Sequence, residues 1–114
     1  MSKKNNNENF LDKKPSRKPE IVWSTDEKGI VTLEIQNKGI FNFLAQKLFK
    51  KPKISYIHLD EMGSFIWPII DGEKDITHIG KIVDEHFGEK AHPLYERLAK
   101  FFSILQSYGF ITLS

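Results

Sequence analysis

The chain has 114 residues, 39% of them hydrophobic and 12% aromatic, which suffices for one small core and is too little for two domains. Cysteine is absent, so the sequence excludes disulfide bonds and thiolate metal sites. The net charge of +2 is unevenly distributed. Residues 1–20 carry six basic and three acidic side chains, whereas residues 21–114 have a net charge of −1.

Residues 1–19 are predicted to be a flexible basic tail that precedes one domain over residues 20–114. The tail is rich in Asn, Lys and Pro and has only Phe10 and Leu11 to bury, so burial cannot offset the entropy of ordering it. It lacks the apolar core of a signal peptide, and no later apolar run approaches the roughly 18 residues that span a bilayer. We therefore expect a cytoplasmic protein without stable membrane insertion.

Two β-rich runs and a helical pattern follow the tail. Residues 21–23 and 30–35 flank a Gly-containing turn at residues 26–29, which predicts a β-hairpin. Apolar residues then recur at helical spacing from Ile40 to Lys51, and Pro52 closes this inserted helix.

A third strand is predicted over residues 54–59, where apolar and polar side chains alternate. Ile54, Tyr56 and His58 are expected to share one side of the strand, and the odd-numbered residues the other.

Three amphipathic helices complete the pattern. The first helix begins after its cap at Asp60 and is kinked or ended by Pro68. The second begins after its cap at Asp75 and ends at Gly88, and the third begins at Pro93. This order predicts an α+β, winged helix-turn-helix-like fold: a three-stranded antiparallel sheet followed by three helices, with an extra helix inserted between strands two and three.

No catalytic or metal-binding constellation is visible. Asp60, Asp71 and Asp75 lie where carboxylates cap free N–H groups, and the four histidines lack the spacing of a HExxH-type site. Trp67 is expected to pack in the core, and Ser64, without the second glycine of a nucleophile elbow, to be helical filler. We therefore expect a protein that is not an enzyme and that needs no metal and no cofactor.

A series of short segments in the second half of the chain forms a recognisable pattern. It consists of Leu59-Asp60-Glu61, Phe65-Ile66-Trp67, Ile70-Asp71-Gly72 and Asp75-Ile76, of Ile79, Phe87, Leu98, Phe101 and Leu105, and of Gly109-Phe110-Ile111. In this pattern the chain resembles the PqqD family, small peptide-binding proteins named after coenzyme PQQ synthesis protein D. The resemblance spans residues 20–114 and is strongest from residue 56 onward.

The resemblance implies a function. In such proteins the leader of a ribosomally made precursor peptide adds as an extra β-strand to the third strand, beside the last helix, and is presented to a radical-SAM or similar modifying enzyme. Carried over by position, the peptide-binding residues would be Ile54, Ser55, Tyr56, Ile57 and His58 of the strand and Arg97, Leu98, Phe101 and Phe102 of the helix.

The chain departs from the family's shorter members in two ways, by the helix inserted between strands two and three and by its long N-terminal tail. The inserted helix at Ile40 to Lys51 could line or cover the binding edge. Its lysines, with Lys53, are either a solvated surface or a contact for an anionic membrane or an acidic leader.

The alternative function is a winged-helix DNA-binding regulator. Its recognition helix would offer only Arg97 and Lys100 against Glu96, and residues 60–114 hold five basic and nine acidic side chains. We therefore expect no nucleic acid partner, since binding to phosphates requires a basic surface. The oligomeric state stays open.

Overall fold

The computed structural model of the chain describes residues 10–36 and 54–114. Within them, a three-stranded antiparallel sheet precedes three α-helices, as predicted, and a two-stranded sheet joins the two ends of the chain. The strands are β1 (Pro15–Arg17), β2 (Val22–Thr25), β3 (Val31–Gln36), β4 (Ile54–His58) and β5 (Ile111–Leu113), and the helices are α1 (Glu61–Ile66), α2 (Ile76–Phe87) and α3 (Leu94–Ser107).

The three-stranded sheet has the order β2-β3-β4, and both pairs are antiparallel. Asp26 organises the turn between β2 and β3, because its Oδ1 accepts hydrogen bonds from the backbone N–H groups of Lys28 at 2.8 Å and Ile30 at 3.0 Å. Gly29 takes the positive φ of 85° that this turn requires. The predicted inserted helix, Ile40 to Lys51, lies outside the described residues.

The predicted flexible tail includes a strand that sequence analysis did not predict. β1 pairs antiparallel with β5, from Pro15 opposite Leu113 to Arg17 opposite Ile111. The same segment also bonds to the start of α2, since the N–H of Ile76 donates to the Lys13 carbonyl at 3.0 Å. Residues 10–17 therefore form part of the folded body.

The helix boundaries follow the predicted caps. Asp60 Oδ1 accepts from the Gly63 N–H at 2.7 Å, and Asp75 Oδ1 accepts from the His78 N–H at 2.8 Å. α1 ends directly before a short 3-10 turn, Trp67–Ile69, which contains Pro68. A second 3-10 turn, Gly88–Ala91, follows α2.

Trp67 lies in the centre of the core and is completely buried, which confirms its predicted packing role. Its ring makes an edge-to-face contact with Trp23 of β2, with centroids 6.4 Å apart. The remaining core comes from the inner side of the sheet and from all three helices. Fully buried members include Val31, Leu33, Ile66, Ile70, Ile76, Ile79, Val83, Leu98 and Phe102.

Ser64 is more than the helical filler that the sequence suggested. Its side chain is buried, its Oγ accepts a hydrogen bond from the Val31 N–H at 2.8 Å, and the same hydroxyl donates to the Leu59 carbonyl at 3.3 Å. This hydroxyl therefore joins α1 to the start of β3.

No helix among the described residues combines the length and the apolar character that crossing a bilayer requires.

Candidate functional site

β4 is an edge strand of the three-stranded sheet, with β3 as its neighbour in the strand order. The direction of its backbone groups follows from one hydrogen bond beyond its end, in which the Leu59 N–H donates to the Val31 carbonyl at 2.9 Å. In an antiparallel ladder, hydrogen-bonded and non-hydrogen-bonded pairs alternate. The pair Leu33 and Ile57 is therefore hydrogen-bonded, whereas Tyr56 opposes Glu34 in a non-hydrogen-bonded pair.

The backbone N–H and C=O groups of Tyr56 and His58 consequently point away from β3, toward the outer edge of the sheet. Within residues 10–36 and 54–114, no further strand pairs with that edge. An edge of this kind offers donors and acceptors to an incoming extended chain.

The side chains of β4 alternate as predicted at its central positions. Tyr56 is 60% exposed on the outer surface, whereas Ile57 is half-buried and packs against the core. His58 is also exposed, and its Nδ1 lies 2.7 Å from Thr32 Oγ1 on the neighbouring strand. Ser55 is exposed, and Ile54 begins the strand.

A groove of about 300 Å³ lies between the start of α1 and the outer side of α3. Asp60 lines it and follows the last residue of β4 by two positions, so the groove lies at the end of the edge strand. Its volume is at the low end of the range for ligand pockets, about 300–1,000 Å³, which suits one or two amino-acid side chains. The lining residues are Asp60, Met62, Arg97, Lys100, Phe101 and Ile104.

Two of the four helix residues predicted to bind peptide line this groove. Arg97 is held in place by a hydrogen bond from its Nη1 to the Lys90 carbonyl at 2.7 Å. Phe101 is half-buried, and its ring contacts Phe102 edge to face with centroids 5.2 Å apart. Both side chains are therefore positioned by contacts with the rest of the protein.

The other two, Leu98 and Phe102, are completely buried in the core. We correct their assignment accordingly, because a side chain with no exposed surface supports the wall from behind and does not reach a bound peptide. Lys100 and Ile104 line the groove but were not among the predicted site residues. The spacing of Arg97, Phe101 and Ile104 marks a second stripe on α3, one residue out of phase with the buried stripe at Leu98, Phe102 and Leu105.

The charged side chains of the groove are two cations and one carboxylate, since Arg97 and Lys100 lie there with Asp60. Oδ1 of Asp60 is already engaged as the cap of α1. Phe101, Met62 and Ile104 add apolar surface, and Ile104 is 44% exposed. The groove can thus receive an apolar side chain and an anionic group together.

Residues 48–111 match the family described as coenzyme PQQ synthesis protein D, PqqD, over more than half of the chain. The protein belongs to the PqqD family. This confirms the resemblance stated from the sequence. Comparisons with curated proteins and with solved structures found no match.

The PqqD match covers β4, all three helices and every residue that lines the groove. It begins after β3, so the hairpin of β2 and β3 and the strand β1 lie outside the matched region. The edge strand and the groove therefore both belong to the part of the chain that carries the PqqD family pattern.

Proposed function

We propose that this PqqD family member is a peptide-binding accessory protein that captures the leader of a ribosomally made precursor peptide by β-strand addition at β4. It then presents the peptide to a modifying enzyme in the cytoplasm, of the radical-SAM or a similar class. The observation that supports this proposal most directly is the outward direction of the Tyr56 and His58 backbone groups at the sheet edge.

Strand addition divides recognition into two parts. Backbone hydrogen bonds along β4 supply sequence-independent affinity, and pockets for alternate side chains supply selectivity. The groove at Arg97 and Phe101 is such a pocket, at the end of the strand. Because a disordered leader loses entropy when it binds, we expect a dissociation constant of about 1 μM or somewhat tighter.

Membership in the PqqD family supports an accessory role rather than catalysis. We further propose that the sheet and the three helices are arranged as in a winged helix-turn-helix module that reads peptide instead of DNA.

A binding titration tests the proposal. The probe is the synthetic leader of a short precursor encoded beside the gene, labelled and titrated with the full chain while fluorescence anisotropy is recorded. We expect saturable binding that is lost when proline replaces a residue in the paired segment, because proline removes a ladder hydrogen bond.

Hydrogen exchange locates the contact in the same experiment. Bound peptide should slow exchange of the amides of Tyr56 and His58. Binding that tolerates proline throughout the leader, or protection confined to residues outside β4, would contradict strand addition, and a salt-sensitive shift of duplex DNA would favour the DNA-binding alternative.

A further inference from the structure

We propose that the groove beside α3 selects an extended peptide that carries an acidic residue two positions from a large apolar residue. This inference rests on the proposed function, because it assumes that the peptide lies along β4. It adds the chemical class of the peptide and assigns a role to two residues, Lys100 and Ile104, that sequence analysis did not place among the peptide-binding residues.

The charges of the groove indicate the acidic residue. Arg97 and Lys100 bring two cations to a surface whose one carboxylate, Asp60, already accepts the hydrogen bond from Gly63. The carbonyl of Lys90 accepts from Nη1 of Arg97 and so fixes the position of that guanidinium. An arginine held in this way still has several N–H donors left, which suit a carboxylate.

The apolar part of the groove indicates the second residue. Phe101 is half-buried and braced by Phe102, and Ile104 leaves 44% of its surface exposed on the next turn of the helix. Met62 forms the opposite wall, from α1. A Leu, Ile, Phe or Met side chain inserted here would cover apolar surface that is otherwise in contact with water.

The spacing follows from the geometry of helices and strands. Arg97 and Phe101 are one turn apart on α3, which is about 6 Å along the helix axis. Side chains on one side of an extended peptide recur every second residue, at a distance of about 6.7 Å. One acidic and one apolar side chain, two positions apart, therefore match the two contacts on the helix.

A peptide selection tests this inference without knowledge of the natural ligand. The full chain is immobilised and used to enrich short peptides from a random display library. We expect the enriched peptides to carry Asp or Glu two positions from Leu, Ile, Phe or Met. Replacement of that acidic residue by its amide should weaken binding by about fivefold, the effect of one exposed ion pair.

Variants of the protein assign the contact. Arg97→Gln and Lys100→Gln should each weaken binding of an enriched peptide by about fivefold, whereas Lys81→Gln, at an exposed lysine outside the groove, should leave it unchanged. Lys100→Gln is decisive if Arg97→Gln disturbs the fold through its bond to Lys90. A charge reversal, Lys100→Glu, should be rescued by a peptide with Lys in place of its acidic residue.

The outcomes separate the two proposals. Peptides that bind and are blocked by proline, but carry no acidic residue or ignore the Lys100 variants, would overturn the charge inference and leave strand addition intact. Failure to enrich any peptide would remove both proposals. Binding of a duplex oligonucleotide that depends on Arg97 and Lys100 would assign the cations to nucleic acid and overturn this inference.

Discussion

The backbone N–H of Val31 donates a hydrogen bond of 2.8 Å to the hydroxyl of Ser64, which lies 33 residues later in the chain. Both residues are buried, and Val31 is the first residue of β3. The bond thus fixes the sheet against α1 at the level where β4 ends and the groove begins. A mutation at Ser64 tests how much this contact contributes.

We expect Ser64→Ala to lower the free energy of unfolding by about 2 kcal/mol, because the buried Val31 N–H loses its acceptor. Urea unfolding followed by circular dichroism measures the change. Ser103→Ala, at an exposed position of α3, is the matched control and should change stability by less than about 0.5 kcal/mol. Equal effects of the two substitutions would show that the Ser64 hydroxyl does not stabilise the fold.

A proline at Tyr56 tests the direction of the edge groups. The Tyr56 N–H points away from β3, so Tyr56→Pro removes a donor for the incoming peptide without removing a bond of the β3–β4 ladder. We expect the variant to fold and its affinity for the peptide to fall by at least about tenfold. One hydrogen bond to the peptide is lost, and the proline ring disturbs the pairing of the neighbouring residues. Anisotropy titration with the labelled leader measures this loss.

Two further substitutions complete that test. Tyr56→Thr keeps the N–H and replaces the aromatic ring by a β-branched side chain that also favours strands, and should retain most of the binding. Ile57→Pro, by contrast, removes an N–H that points toward Leu33 of β3 and takes part in the β3–β4 ladder. We expect it to destabilise the protein by about 3 kcal/mol. If Tyr56→Pro unfolds the protein as strongly as Ile57→Pro does, the assigned direction of the backbone groups is wrong.

The features that were predictable from the sequence are local ones. Asp60 and Asp75 cap their helices by accepting from a backbone N–H only three residues later. The start of each helix can therefore be located from the position of the aspartate relative to the apolar residues that follow it. The three-stranded sheet and the three helices that follow it were predictable from the same kind of pattern, and the PqqD family resemblance was visible in the residues around Trp67.

Features that depend on distant parts of the chain were not predictable. β1 is three residues long and pairs with a strand at the opposite end of the chain, and neither segment has a pattern that identifies its partner. Ser64 looked unimportant because its acceptor role depends on the position of Val31. The division of α3 into a buried stripe with Leu98 and a half-buried one with Phe101 depends on how α3 packs against the rest of the protein, which the spacing within α3 does not specify.

Gly80 of α2 lies where α2 and α3 approach each other closely. A Cβ at this position would lie 2.9 Å from Leu98 Cδ1 and 3.0 Å from Tyr95 Cε1. Alanine normally stabilises a helix relative to glycine by about 1 kcal/mol. Here we expect Gly80→Ala to destabilise the protein by about 1 kcal/mol, because the overlap with buried Leu98 outweighs that gain.

Thermal and urea unfolding check this sign, with Lys81→Ala at the adjacent exposed position as the control. The control should change stability by less than about 0.5 kcal/mol. A shortened neighbour, Tyr95→Ala, should relieve part of the loss when it is combined with Gly80→Ala. A stabilising Gly80→Ala would mean that α2 and α3 can separate at this point without cost.

Asp71 makes the stability of the protein depend on pH in acid. Its Oδ2 accepts from Lys74 Nζ at 2.6 Å, and its Oδ1 accepts from the N–H groups of Glu73 and Lys74. The bond from the Lys74 side chain, followed by those two backbone bonds, lowers the pKa of the Asp71 carboxyl well below its ordinary value of 3.8. The ionised carboxylate is therefore favoured by folding.

The sign of the pH dependence follows from this lowered pKa. A carboxyl whose pKa is lower in the folded state contributes stability above its unfolded pKa, and loses that contribution as the pH falls through the folded value. The stability difference between the natural protein and Asp71→Asn should therefore be constant near neutral pH and shrink below about pH 4. Urea midpoints at low salt, between neutral pH and about pH 2, measure this difference, since salt screens exposed pairs.

Lys74→Gln supplies the partner control for Asp71. If the Lys74 side chain is the main cause of the lowered pKa, the stability of Lys74→Gln should change with pH almost as little as that of Asp71→Asn. The double variant should then show nearly the same pH dependence as Asp71→Asn alone. The two backbone bonds to Asp71 remain in Lys74→Gln, so a small acid dependence should persist. A Lys74→Gln profile identical to that of the natural protein would instead assign the pKa shift to the backbone N–H groups of the turn.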